Sequence, residues 1–518
     1  MVASRRTDVA QPASERGLRM VTTGPGWDAK VQRAWAEEPI AARVKVLRRF
    51  RFRISHRADD LCRAIDAGPA RTPADVRASE ILPLLAACEF LERNAQKLLD
   101  TRKLSAWSRP FWLWGVRSEI QRVPLGRVLV IGPSNYPLFL PGVQVLQALA
   151  AGNAVTWKPG KGGRAVAKLV AEELMTAGLP RELLRLTEES DEAGRAAVAA
   201  GADKVFFTGS SESGRAVMRA LAETGTPSVM ELSGCSAVVV LPGSDLGRVT
   251  AAVAFGLRLN GSATCMAPRR LLVLGRTKER REALVRRLEE ALRDVPAVML
   301  EASVQARLRD LVGEAVDDGA TVVGKLGAVG EGQAPLMIIR ARPEMRIAKA
   351  DLFAPVLSVI DVQDAAGVAA AQRACPLALS VSIFGEELAA RRMGARMTVG
   401  TVMVNDVIVP TADPRIPFGG RRGAGFGVTR GAEGLLEMTA VKTVLVRRGR
   451  TRRQFEATGE KHVWLFEGMM LAGHSETWRE RLRGLRILLG AARRMPAEVL
   501  PVEQAGTEDE MWEQNVDE

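Results

Sequence analysis

The chain is poor in the residues that many catalytic machines use. Aromatic residues make up 5% of it and include a single tyrosine, Tyr136. Only three histidines occur: His56 in a basic N-terminal stretch, and His462 and His474 near the C-terminus. A Ser-His-Asp or Cys-His arrangement and a His-rich metal site are therefore not expected. A catalytic base would have to be a carboxylate, a lysine or water. The five cysteines, Cys62, Cys88, Cys235, Cys265 and Cys375, are scattered and form no CxxC. That excludes the usual disulfide framework and zinc spacing and points to a reducing compartment, so a cytoplasmic location is expected. The first residues lack an apolar run, so no signal peptide is read there. Residues 128–157 carry no charge, which is long enough to span a bilayer. Pro133, Pro137 and Pro141, with Ser134 and Asn135, break that run into strand, loop, helix and strand.

What is present is ordinary globular material. The 518 residues are 47% hydrophobic and 26% charged, enough for two or three domains with sizeable cores. The net charge is +13. No nucleic-acid motif with interleaved aromatics accompanies it, and no nucleic-acid partner is expected. The excess reads as a solvated basic surface that favours an anionic cofactor.

Helical spacing dominates from Trp27 to about residue 99, with Val44, Leu47, Phe50, Phe52 and Ile54, then Ile81, Leu84, Leu85, Cys88, Phe90 and Leu91. Trp112, Trp114, Val116 and Ile120 alternate, as in a strand or hairpin. Short apolar strands then alternate with helices: strands at 128–131, 154–157, 205–208 and 237–241, and helices at 141–151, 163–177 and 211–224. The second half repeats the pattern with strands at 271–273, 355–362, 380–384, 400–404 and 441–446, and helices at 278–292 and 304–318. Such alternation predicts an α/β fold with doubly wound, parallel sheets, whose ligands bind beyond the carboxyl ends of the strands. Residues 417–427 hold five glycines in eleven positions and read as a loop.

Two residues carry the chemistry. Glu231 lies in Glu231-Leu232-Ser233-Gly234, just before the apolar run at 237–241. Cys265 lies 34 positions later in Asn260-Gly261-Ser262-Ala263-Thr264-Cys265. A thiolate can attack an electrophilic carbon, and a carboxylate can later activate water against the resulting thioester. Gly209 and Gly214 in Thr208-Gly209-Ser210-Ser211-Glu212-Ser213-Gly214 bracket a strand-to-helix turn, where backbone N–H groups can approach a phosphate. A plain capped turn explains those glycines equally well.

Seven ordered segments together resemble the aldehyde dehydrogenase superfamily over roughly residues 25–446. They are Pro133-Ser134-Asn135-Tyr136-Pro137, Trp157-Lys158-Pro159 (Lys158 lies 23 residues after Asn135), the Gly209–Gly214 loop, the Glu231 and Cys265 segments, Leu352-Phe353-Ala354-Pro355, and Pro417-Phe418-Gly419-Gly420. The resemblance implies a Rossmann-like cofactor domain, an α/β catalytic domain and a small β-flap for oligomerisation. It implies NAD(P)-dependent oxidation of an aldehyde through a cysteine thiohemiacetal and thioester. Cys265 is then the nucleophile, Glu231 the deacylation base and Asn135 an oxyanion donor. Lys158 falls in both the catalytic and the cofactor set. Gly209, Ser210, Gly214, Leu232, Asp351 and Phe353 complete the cofactor set.

Lys161 stands where NAD-preferring members carry a glutamate, so a 2′-phosphate could pair with it, and NADP is favoured over NAD. Asp351 replaces the usual glutamate of the nicotinamide ribose site. Ser262-Ala263 replace Gly-Gln, Cys235 replaces a lysine and Ala424 a serine, which marks a divergent branch. No metal is implied.

The domain boundaries read from this are a disordered 1–20, a dinucleotide-binding domain at 21–231 interrupted by a flap at about 109–123, a thiol domain at 232–440, an oligomerisation strand at 441–446 and an extension at 447–518. A homodimer or homotetramer is expected. Other readings remain open: a CoA-acylating dehydrogenase or acyl-thioester reductase, or a non-catalytic dinucleotide-binding scaffold. In the extension, residues 447–495 hold 12 basic and 5 acidic side chains, and 496–518 hold 8 acidic and none basic. Trp478, Leu482, Leu485, Leu488, Leu489 and Ala492 predict an amphipathic helix with an arginine-rich face, either docked on the protein body or making a peripheral membrane contact.

Overall fold

The computed structural model describes residues 28–494 except 66–70, 111–112, 114, 276–277, 329, 449–454 and 456. The expected disordered start, Trp27, the Trp112 and Trp114 alternation and the acidic end lie outside the described residues. The chain forms two compact units. One holds the residues up to Thr101 with Gln121–Lys442; the other holds Arg102–Ile120 and the chain from Thr443.

In the larger unit, the stretch read as helical forms helices Ala29–Glu37, Ile40–Ser55, Ala58–Ala64 and Leu82–Leu99. Asp28 caps the first, accepting from the N–H of Lys30 and of Val31. Leu47, Phe50 and Ile54, spaced i, i+3 and i+7, are fully buried in one core with Leu84, Cys88 and Leu91 of the last helix. Each such side chain contributes about 1.5–3 kcal/mol by leaving water. Phe52, counted with that pattern, is instead exposed. It falls on the opposite side of the helix, and its ring is covered by the guanidinium groups of Arg51 at 4.6 Å and Arg48 at 5.6 Å.

Two sheets follow, each parallel apart from one antiparallel edge strand. The first runs Ser228–Glu231, Lys204–Thr208, Arg127–Ile131, Ala154–Lys158, Leu184–Leu186, with Gly425–Phe426 added antiparallel at the Ser228–Glu231 edge. The second has seven strands. At its centre Val356–Val362, Pro268–Leu274, Ser236–Val240 and Ser380–Phe384 lie side by side, all parallel. Helices pack on both sheets, giving separate apolar clusters. Strands buried on both faces need continuous Val, Ile, Leu and Phe rather than alternation, which is why they could be read from the sequence.

The segment 417–427 is more than a loop. Arg421–Arg422 pairs with Leu377–Ala378, and Gly425–Phe426 pairs with Met230 and Glu231. Gly425, at φ +112°, allows the turn, and a Cβ there would lie 1.9 Å from the Met230 carbonyl oxygen.

The smaller unit holds Arg102–Lys103, which pairs with Val116–Pro124 in a three-stranded sheet whose other edge is Thr439–Arg447; the last residues of Val116–Pro124 and the first of Thr439–Arg447 belong to the larger unit. A helical hairpin, Glu460–His474 and Trp478–Arg494, completes it. The first helix of the hairpin was not expected from sequence.

Candidate active site

Strand register supplies the first contact. Thr208 and Glu231 are paired partners at the carboxyl ends of adjacent parallel strands. The Thr208 hydroxyl donates to Glu231 Oε2 at 3.1 Å, and the Thr429 hydroxyl donates to Oε1. Glu231 is 3% exposed. Burial raises its pKa, while the Thr429 hydroxyl, the Arg430 charge and the Thr208 hydroxyl oppose that rise.

Cys265 follows a tight turn, Leu259–Ser262, in which Asn260, Gly261 and Ser262 have φ of 53°, 56° and 64°. Left-handed backbone is costly for serine. Buried Arg269 holds Ser262 there, donating to its Oγ at 2.8 Å and to the Ala354 carbonyl at 2.6 Å. The turn is bound to the loop after strand Arg127–Ile131. Asn260 Nδ2 donates to the Asn135 carbonyl at 2.8 Å, Asn135 Nδ2 donates to the Ala263 carbonyl at 2.8 Å, and the Tyr136 and Thr264 hydroxyls lie 2.8 Å apart.

Cys265 packs against an apolar cluster that includes Met266, Leu379 and Phe418. It opens onto an internal cavity, so it is partly accessible although protein desolvates its sulfur. Burial pushes the thiol up to about 12, Glu231 and Asp351 add to the rise, and the Arg430 charge opposes it. Arg430 is itself buried, with its guanidinium 4.4 Å from the Phe418 ring centre and Nη1 donating to the Thr411 carbonyl at 2.7 Å. Both charges act on the sulfur, so carboxylate, thiol and guanidinium form one electrostatic unit.

The cavity holds about 1170 Å³. Of the residues selected from sequence, Asn135, Gly209, Ser210, Glu231, Leu232, Cys265, Asp351 and Phe353 line it. Gly214, Lys158 and Lys161 do not. Gly214 sits in helix Ser211–Ala222, where a Cβ would lie 2.4 Å from Leu232 Cδ2, and a Cβ on Gly209 would meet the Phe207 ring at 2.7 Å. Close packing accounts for both glycines. Lys158 ends its strand, 7% exposed, with its stem against Gly194 of the neighbouring helix Asp191–Ala199. Burial lowers its pKa, while Asp191 and Glu189 oppose the shift. Lys161 is exposed and pairs with Glu301 at 3.1 Å.

Sequence reasoning missed Thr429, Arg430 and Arg269. Arg430 and Arg269 look like any of the 73 basic residues in this chain. Only their burial sets them apart, and no periodic pattern announces it.

Comparison with known proteins identifies the family. Residues 28–444 match the model of the aldehyde dehydrogenase family. A 4,4'-diapolycopene aldehyde oxidase from Methylomonas sp. is 30% identical over 427 residues, 81% of this chain and 80% of that protein. The chain belongs to the aldehyde dehydrogenase family. A probable coniferyl aldehyde dehydrogenase from Pseudomonas aeruginosa is 29% identical, covering 80% of this chain and 89% of its own length. A crystal structure of a Mycobacterium tuberculosis aldehyde dehydrogenase complexed with NAD+ shares the fold, with a TM-score of 0.73, 24% identity, and coverage of 82% and 90% of the two chains. This aldehyde dehydrogenase therefore has the α/β fold expected from its sequence, and it is an NAD(P)-dependent oxidoreductase acting on aldehydes.

The cavity fits such a cofactor. Asp351 Oδ1 is buried without a hydrogen-bond partner, an acceptor that ribose hydroxyls can satisfy. Arg215 and Arg307 line the same cavity as Gly209 and Ser210, where phosphates would meet cations and backbone N–H groups.

Proposed function

We propose that Cys265 is the nucleophile and Glu231 the deacylating base of this aldehyde dehydrogenase. The observation that carries the reading is that both line one cavity, close enough for the Glu231 charge to raise the thiol pKa. The Cys265 thiol gives its proton to solvent as its sulfur attacks the aldehyde carbon, and the oxygen that gains charge is met by the second N–H of Asn135 Nδ2 and the Cys265 backbone N–H. A nicotinamide held in this cavity would supply the two-electron oxidation, accepting the hydride from the thiohemiacetal carbon, which leaves a thioester on Cys265. Glu231 then takes a proton from water, which attacks the thioester carbon and releases the carboxylic acid and the free thiol. Buried between two threonine hydroxyls, with its pKa raised, Glu231 is suited to hold that proton. Asp351 and Phe353 would hold the nicotinamide ribose, and Gly209, Ser210 and Leu232 the rest of the cofactor. Lys158 would serve the adenosine ribose through its ammonium.

The aldehyde we propose carries an apolar body, because Phe139, Phe255, Leu259, Met266, Ile408 and Phe418 line the same cavity. We assign the five parallel strands of the first sheet, within 21–231, to dinucleotide binding and 232–440 to the thiol. The proposed partners are a second copy of the chain through strand Thr439–Arg447 and, through the C-terminal helix, a membrane surface. The proposed location is the cytoplasm. NADP is the proposed preference, through Lys161.

A panel of aldehydes with NAD or NADP, run on the wild type and Cys265→Ala, tests the chemistry. Reduced cofactor should form with the wild type and not with the variant. Turnover by Cys265→Ala would refute the nucleophile assignment. Lys161→Glu should shift preference towards NAD, and an unchanged NADP preference would refute the charge argument.

A further inference from the structure

The helix Trp478–Arg494 leaves its largest apolar side chains in water. Trp478 is 66% exposed, Leu482 43%, Leu485 48% and Leu489 66%. At about 100° per residue, positions i, i+4, i+7 and i+11 fall within an arc of about 60°. The four side chains therefore form one continuous stripe. The other side of the helix makes the hairpin contact: Gly484 is so close to the first helix that a Cβ would lie 2.3 Å from the Ala472 nitrogen, and Ala491 is buried. The stripe thus points away from the partner helix. The first helix also exposes Val463, Phe466 and Met470, spaced i, i+3 and i+7, but on the side opposite Gly468, where it meets the second helix, so they do not extend the stripe.

Charge decides what fits this face. The second helix carries Arg479, Arg481, Arg483, Arg486, Arg493 and Arg494 against a single acid, Glu480. By the same angular count Arg479, Arg483, Arg486 and Arg493 flank one side of the stripe and Arg481 the other. A second copy of the hairpin seated symmetrically on this face would set arginines against arginines. A surface of anionic headgroups would neutralise them while taking the apolar stripe below the headgroups. Trp478 and the exposed Trp464 have an apolar ring with a polar N–H, a shape that suits the headgroup boundary. No helix of the described residues is long and apolar enough to cross a membrane, so the helix would lie along the surface.

We infer that the hairpin 460–494 docks this enzyme onto an anionic lipid bilayer, with Trp478, Leu482, Leu485 and Leu489 immersed and the flanking arginines on the headgroups. This sharpens the membrane contact proposed above and stands apart from the aldehyde chemistry.

Co-sedimentation of the full chain with vesicles of phosphatidylcholine, with and without phosphatidylglycerol, tests it. The wild type should partition onto the anionic vesicles, more weakly as salt rises. The variant Leu482→Glu/Leu485→Glu/Leu489→Glu should lose on the order of tenfold in partitioning. Arg479→Gln/Arg483→Gln/Arg486→Gln should lose a similar factor on anionic vesicles only. Turnover of a water-soluble aldehyde should be unchanged in both variants, which shows them folded and separates this inference from the assignment of Cys265. Partitioning of the glutamate variant equal to wild type would overturn the proposal. So would a glutamate variant that falls to a smaller oligomer while the wild type ignores vesicles, because the stripe would then be a contact between copies. If the full chain fails to bind and a chain ending at residue 495 binds, the arginine flank belongs to the acidic segment 496–518 and the proposal also falls.

Discussion

At the scale of single residues, the site is a balance of charges on one sulfur, Glu231 and Asp351 against Arg430. Glu231 raises the Cys265 pKa and Arg430 lowers it, on top of the larger rise from burial. The thiolate is the nucleophile. Alkylation of Cys265 by iodoacetamide should therefore accelerate with pH, by about tenfold per unit while the pH stays below the pKa. Glu231→Gln removes the negative neighbour and should speed alkylation at fixed pH. Arg430→Gln removes the positive one and should slow it. Opposite signs are the signature of this arrangement, and equal rates in wild type and both variants would contradict it. Glu231→Gln should also cut steady-state turnover by about 10²–10⁴. A first burst of reduced cofactor, about one per active site, should remain, because acylation does not need the carboxylate as base. Loss of the burst together with turnover would place Glu231 in the earlier step.

Among the elements, the decisive contacts join segments far apart in sequence. Gly234 shows how tightly: a Cβ there would lie 2.2 Å from the Cys265 carbonyl oxygen and 2.8 Å from Leu379 Cδ2. Gly234→Ala should displace the nucleophile turn and cost about 1–3 kcal/mol in denaturant unfolding. Its alkylation rate should change although no reacting group is altered, and an unchanged rate and stability would show that the turn yields freely. Such contacts explain which parts of the molecule were legible in sequence. Strands buried on both faces announce themselves as apolar runs, so 128–131, 154–157 and 380–384 were found within a residue or so. Leu184–Leu186 and Leu336–Ile339 were missed, being only three and four residues long, and Asp191–Ala199 was missed because none of its residues is buried. At the site, Asn135, Glu231 and Cys265 were legible as ordered motifs. Arg430 and Thr429 were not, because their position depends on Gly425–Phe426 pairing with a strand almost two hundred residues earlier. The glycine-rich stretch 417–427 looked like slack chain, yet it brings the charge that tunes the thiol to the sheet edge beside Glu231.

For the whole molecule, the question is what covers the surfaces that the single chain leaves open. Strand Thr439–Arg447 is an edge of its three-stranded sheet, with Val441 58% exposed, Leu445 68% and Val446 46%. An edge strand with unpaired N–H and C=O groups and exposed apolar side chains is a template for pairing with another chain. Its only basic residues are Lys442, fourth of the nine positions, and Arg447 at the end, so no dense charge opposes self-association, in contrast to the arginine-flanked helix Trp478–Arg494. On our proposals the two exposed apolar surfaces take different partners: a second copy of the chain at the strand, and a lipid surface at the helix. Leu445→Lys should accordingly lower the sedimenting mass to a smaller oligomer or a monomer while vesicle partitioning per chain persists, weakened only by lost multivalency. A sedimenting mass equal to wild type would remove this strand from the subunit contact.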